Sequence, residues 1–175
     1  MGLVKDSLRM FRVVPALLLV ALCLSCAGAT LRPLAYPDPE APCPGGRINW
    51  RLEIADQRAD RRDSERITGL LKESLARSFP GCRWQDSSDG SFPKVLIELH
   101  RFGVVRDGNY WEAAAEWSVV ANDAEGGSLT EFQAVSEISR PNYRGANNEL
   151  EAMKQAFDQA FRKTLAGLRA VSSVG

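Results

Sequence analysis

The sequence is poor in the side chains from which reactive centres are usually built. It has one histidine, His100, and four cysteines in 175 residues, so a metal site or an activated thiol has little material to draw on. The spacings G-x-S-x-G, G-x-x-x-x-G-K-[ST] and G-x-G-x-x-G are all missing, which removes the common signals of serine hydrolases, phosphate loops and dinucleotide folds. A surplus of either charge is missing too, since 22 basic side chains balance 22 acidic ones. Bulk charge therefore selects neither nucleic acid nor an anionic surface as partner. What is present is ordinary globular usage, 45% hydrophobic and 25% charged, at a length that suits one domain.

The first 25 residues are expected to be a signal peptide. Lys5, Arg9 and Arg12 precede the 12-residue apolar run VVPALLLVALCL, which is too short for the ~20 residues of a membrane span and suits a cleaved leader. It ends at Leu24-Ser25-Cys26-Ala27, which resembles a bacterial lipobox. That resemblance implies acylation of Cys26, which would become the new N-terminus and hold the protein to a membrane by its acyl chains. Ordinary cleavage near Ala27 or Ala29, releasing a soluble periplasmic protein, is the alternative. Ala27 in place of an aspartate leans towards the outer rather than the inner membrane. With Cys23 removed and Cys26 acylated, Cys43 and Cys82 are the thiols left in an oxidising compartment, so a disulfide between them is expected, against two separate buried thiols.

Residues 26–46 read as a proline-rich tether, with Pro33, Pro37, Pro39, Pro42 and Pro44 favouring extended chain. Residues 47–170 read as a single α+β domain, and residues 171–175 as a flexible tail. Ile48, Trp50, Leu52 and Ile54 alternate with polar residues as a strand does. Asp63 is a good helix cap, Ile67, Leu70, Leu71 and Leu75 share one helical face, and Pro80-Gly81 ends it. Trp84 suits a short extended piece. Val95, Ile97 and Leu99, then Trp111 to Ala121, then Phe132, Ala134 and Ile138 mark three more strands, joined by turns at Arg106–Asn109 and Asp123–Ser128. From Asn147 or Asn148, Leu150, Met153, Phe157, Phe161, Leu165 and Leu168 make one stripe of a helix about 20 residues long. The pattern predicts a two-layer sandwich, a mainly antiparallel sheet with both helices on one face.

Candidate sites are few, and each has a plain structural counterpart. His100 reads as a surface or edge residue, and Glu112 and Glu116 as cross-strand ion-pair partners rather than acid–base groups. The run Arg58 to Arg66 could hold anionic headgroups at a helix start, but its own acids suit a solvated, salt-bridged loop. Tyr143 and Arg144 suit a partner contact, with packing of Tyr143 on the helix as the alternative. Trp111 and Trp117 read as core, or as the wall of an acyl-sized groove between sheet and helix.

Three stretches, Lys94 to Phe102 (KVLIELHRF), Trp111 to Ala121 (WEAAAEWSVVA) and Leu150 to Leu168 (LEAMKQAFDQAFRKTLAGL), carry a family resemblance. Behind a lipidated leader and a proline tether, the order strand, helix, meander, long helix is similar to the auxiliary lipoproteins of ABC-type transport systems, the PqiC-like group. YajG-like and lipopolysaccharide-assembly lipoproteins are comparably similar in topology. The segment before the first helix is shorter than the family's, and its early Tyr-Leu strand is not evident. The resemblance implies a non-catalytic accessory protein, without cofactor or metal, that docks on a lipid-transport or assembly complex of the cell envelope. A small-ligand or lipid-binding module using the groove beside Trp111 and Trp117 is the alternative expectation.

Overall fold

The computed structural model describes residues 31–36, 42–86, 92–144 and 146–171. Strand β1 (Asn49–Asp56) leads to helix α1 (Ser64–Ser78), the short β2 (Arg83–Gln85), the long β3 (Lys94–Asp107), β4 (Tyr110–Asn122) and β5 (Ser128–Pro141), and helix α2 (Ala146–Val171) closes the chain. Short 3-10 turns lie at Pro44–Gly46 and Asn142–Arg144. The five strands stand in the order β2-β1-β3-β4-β5. The expected α+β sandwich is the observed one, with a hairpin meander in β3–β4–β5.

The first half of the sheet differs from a pure meander, because β1 runs parallel to both β2 and β3. Its chain leaves through α1, which returns it to the end where β1 began, so the next strands run in the same direction. Helix α1 is stopped where expected: Phe79, ahead of Pro80, takes φ −125° and ψ 71°, since a residue before proline avoids the helical region. The β3–β4 turn uses a single left-handed residue. Gly108 takes φ +54°, while Asn109 does not enter the left-handed region.

Strands β1, β3, β4 and β5 each turn one face into a core that the two helices close, β1 mainly under α1 and β3–β5 under α2. Leu52 and Val95 are register partners, as are Ile97 and Val119, and these side chains join the stripes of α1 and α2 in one core. In β3 the pairing shifts between Leu99 and Arg101. That bulge at His100 lets Leu99 and Phe102 both point inward, where strict alternation would have turned Phe102 outward. Helix α2 lies so close to β5 that a Cβ on Gly167 would stand 2.3 Å from the Phe132 ring, so glycine is required by the approach of backbone to ring. The edge of β5 is partly covered, with Lys163 Nζ donating to the Val135 carbonyl at 2.5 Å, which blunts strand addition there.

Cys43 and Cys82 are joined in a disulfide, with Cα atoms 5.6 Å apart across a separation of 39 residues. The bond ties the entry to β1 to the exit from α1. Cross-linking a loop of this length lowers denatured-state entropy by about 4 kcal/mol in the chain-entropy model. Reduction should therefore add about 2 Da to the oxidised mass and lower the denaturant midpoint. An unchanged midpoint would mean that the bridge constrains nothing the fold does not already hold.

Candidate functional site

The least expected feature lies inside the tether. Leu31, Leu34 and Tyr36 pack against the core, so the domain's contacts begin ahead of Arg47. The segment bridges the two helices. On α1, the Leu34 N–H donates to Ser74 Oγ at 2.9 Å and the Tyr36 N–H to Ser78 Oγ at 3.2 Å. On α2, Arg169 Nη2 donates to the Tyr36 carbonyl and Arg162 Nη2 to the Tyr36 hydroxyl, each at 3.0 Å. The Arg162 guanidinium also lies 4.4 Å from the Tyr36 ring centre, a cation–π contact. Composition hid this docking, but there was a signal. Ser74 and Ser78 sit four apart within the apolar stripe of α1, and buried hydroxyls call for partners. Ser74 meets its need twice, since it also donates to the Leu70 carbonyl at 2.6 Å.

A second polar feature lies where β1 meets α1. Arg58 is buried, its side chain only 8% exposed and that of Asp56 5%. Arg58 donates from Nε and Nη2 to the two Asp56 carboxylate oxygens at 2.9 and 2.7 Å, and from Nη2 to Asp63 Oδ1 at 3.0 Å. This two-pronged geometry is the strong form of a guanidinium–carboxylate pair. Hydrogen bonding from Arg58 holds the Asp56 carboxyl far below the usual carboxylate range. Asp63 occupies the cap position of α1 but makes no side-chain cap bond, because its carboxylate serves Arg58 and Arg66 instead. Arg62 likewise lowers Asp60 to about 2 by hydrogen bonding. Arg58, Asp60, Arg62 and Asp63 line a cavity of about 520 Å³ with His100, Arg101 and Phe102. Its arginines already have acid partners, as a salt-bridged loop would have them.

Among the described residues, no helix packs on the outer face of the sheet. His100 Nε2 lies 3.2 Å from Ser118 Oγ, and Ser118 Oγ donates to Glu98 Oε2 at 3.3 Å. A nucleophilic serine must give its proton to a base that a third group orients, whereas here the hydroxyl sits between the histidine and the acid. The chain is an exposed hydrogen-bond relay on a flat strand surface. Glu112 accepts from Ser139 Oγ at 2.6 Å, and among the described residues no group of three or more His, Cys, Asp or Glu could hold a metal ion.

The remaining sequence candidates separate clearly. Trp117 is fully buried, its Nε1 donating to Thr164 Oγ1 at 2.8 Å, and Phe157 stands between it and Phe102 with ring centres 5.8 and 5.9 Å away. The expected groove beside Trp111 and Trp117 is thus filled at Trp117 by core packing, while Trp111 is half-buried. Tyr143 is 77% exposed on the turn before α2, with Arg144 closing that turn and its side chain outside the described residues. The whole of the expected signal peptide, residues 26–30 of the tether with Cys26, its residues 37–41, and residues 172–175 of the tail also lie outside the described residues. No described helix is long and apolar enough to cross a membrane.

The fold and its surfaces define an open-faced α+β sandwich with a docked N-terminal segment. No family model matches the chain, and no curated protein matches it. Solved structures do. A candidate lipoprotein of Caulobacter crescentus CB15 is 18% identical at TM-score 0.45, covering 70% of this chain and 92% of its own. Lipoprotein GNA1162 of Neisseria meningitidis is 9% identical at TM-score 0.49, covering 69% and 99%. Rare lipoprotein B of Shewanella oneidensis is 12% identical at TM-score 0.40, covering 66% and 94%. Likeness at this level leaves the role to be read from the chain's own residues.

Proposed function

We propose that the chain is a lipid-anchored protein of the bacterial envelope, held by acyl chains on Cys26, that acts as a non-catalytic accessory subunit of a lipid-transport or assembly complex. The observation that carries this reading is the Leu24-Ser25-Cys26 lipobox after a 12-residue apolar run. Each buried methylene contributes about 0.8 kcal/mol, so two or more acyl chains hold a protein to a bilayer stably. The docked segment supports the same reading, because it joins the N-terminal link to the body across both helices. The partner type follows the resemblance to PqiC-like auxiliary lipoproteins, and the outer membrane follows from Ala27. The groove-binding alternative is weakened by the burial of Trp117.

Cys26→Ser tests the anchor. Expressed in a bacterial host, the native chain should sediment with membranes and the variant should appear in the soluble periplasmic fraction. Equal membrane partition of the two would remove the basis for the proposal. The accessory role is tested by detergent pull-down of the acylated chain, which should bring down an integral membrane complex. Recovery of the chain alone, with bound lipid, would favour the carrier reading.

A further inference from the structure

We propose that the outer surface of the helix layer, around the seam closed by Leu31–Tyr36, is the face that lies on the anionic lipid leaflet, with the open face of the sheet turned away from it. The inference rests on acylation at Cys26 and adds an orientation to it. Five residue steps separate Cys26 from Leu31. Fully extended they span at most about 18 Å, so the backbone of Cys26 cannot lie further than that from the point where the segment meets the body. From Leu34 to Tyr36 the segment is held by Ser74 and Ser78 of α1 and by Arg162 and Arg169 of α2, which puts the anchor on the helix side. A seam between α1, packed on β1, and α2, packed on β4 and β5, lies over the middle strand β3, so the way to the opposite face covers one helix diameter, about 10–12 Å, and two strand spacings, about 10 Å. A link of this length therefore falls short of the path around a sheet edge to the opposite face.

Charge divides the same way, although the chain as a whole is neutral. Four arginines flank the seam: Arg32 on the segment, Arg77 on α1, and Arg162 and Arg169 on α2. Glu73 and Asp158 neutralise two of them, pairing with Arg77 and Arg162, and Glu65 and Glu149 lie away from the seam in the first turns of the helices. The strand register puts Glu53, Glu98, Glu112, Glu116, Glu131 and Glu137 on the open face with Arg51, Arg83, Lys94 and Arg101, so acids outnumber bases there, and Arg51 and Lys94 pair with Glu53 and Arg101 with Glu137. Anionic lipid attracts the first surface and repels the second.

The test places one fluorophore on each face of the acylated protein. With Cys43 and Cys82 joined and Cys26 blocked by lipid, Ala166→Cys on the exposed side of α2 and Gln133→Cys on the open face each give a single labelling site; both positions are exposed. The proteins are reconstituted in vesicles of phosphatidylethanolamine and phosphatidylglycerol containing a headgroup nitroxide lipid. Flotation is scored first, and a chain that does not float overturns the anchor and the orientation together. For a chain that floats, the expected result is several-fold stronger quenching at position 166 than at position 133. Equal quenching, stronger quenching at position 133, or no quenching at either would overturn the orientation and leave the anchor intact.

Discussion

Phe157→Ala is expected to destabilise the domain by about 3–5 kcal/mol, the cost of emptying a large aromatic site in a core. The position has little room to collapse. Its ring stacks on Phe161 at 5.9 Å with the planes 4° apart, and meets Phe102 and Trp117 at 5.9 and 5.8 Å. These contacts join α2 to β3 and β4, so the cavity would open at the centre of the sandwich, where the sheet and the longer helix are held together. Urea unfolding followed by circular dichroism measures the loss directly. A change below about 1 kcal/mol, well under the usual aromatic-to-alanine cost, would mean that α2 does not present this stripe to the sheet.

Arg58→Ala should cost about 3 kcal/mol, because removing one partner of a buried pair leaves the other charge uncompensated. The stranded group is Asp56. Its carboxyl is held well below the usual range by hydrogen bonding from Arg58, so the stability this pair contributes is present above the unfolded aspartate value, about 3.9. It is lost as pH falls through the still lower value of the folded state. The gap between native chain and variant should therefore be widest near neutral pH and narrow in acid. A gap that stays constant from pH 7 to about pH 3, across the titration range of a free aspartate, would show that Arg58 acts by packing alone. Arg62→Ala is the control, since that side chain and its partner Asp60 are both exposed, and exposed pairs contribute about 0–1 kcal/mol.

The elements were readable wherever burial is one-sided. Trp50 and Leu52 mark the inner face of β1 by their spacing, and so do Val95, Ile97 and Leu99 on β3. Ile67, Leu71 and Leu75 are fully buried on α1, as their helical spacing requires. The stripe of α2 was read too narrowly. Ala152, Ala156, Ala160 and Thr164 are all fully buried as well, but small side chains carry little hydrophobic signal and can face either side of a helix. Its length was underestimated for the same reason, with 26 residues from Ala146 to Val171 observed.

Pairing and docking were harder to read because they depend on partners far away in sequence. Nothing in Ile48 to Ile54 states whether the strand will pair parallel or antiparallel. The direction is set by the return through α1. The bulge at His100 shows only as a break in alternation between Leu99 and Phe102, easily taken for the end of a strand. Leu31, Leu34 and Tyr36 follow no helical or strand period and sit among prolines, so composition favours free chain while side-chain hydrogen bonds from both helices hold it. Of the site residues, the disulfide pair followed from cysteine counting and compartment. Trp117 read most simply as core, with a groove wall as the alternative because an aromatic on an apolar strand face reads alike in both, and its full burial bears out the core reading.

Intact-mass analysis of the chain extracted from bacterial membranes tests the central claim most directly. The account predicts a mature protein that begins at Cys26, carries a diacylglyceryl group on that sulfur, and still holds Cys43 and Cys82 oxidised. A mature chain that begins beyond Cys26, or one that retains Cys26 with an unmodified sulfur, would contradict it.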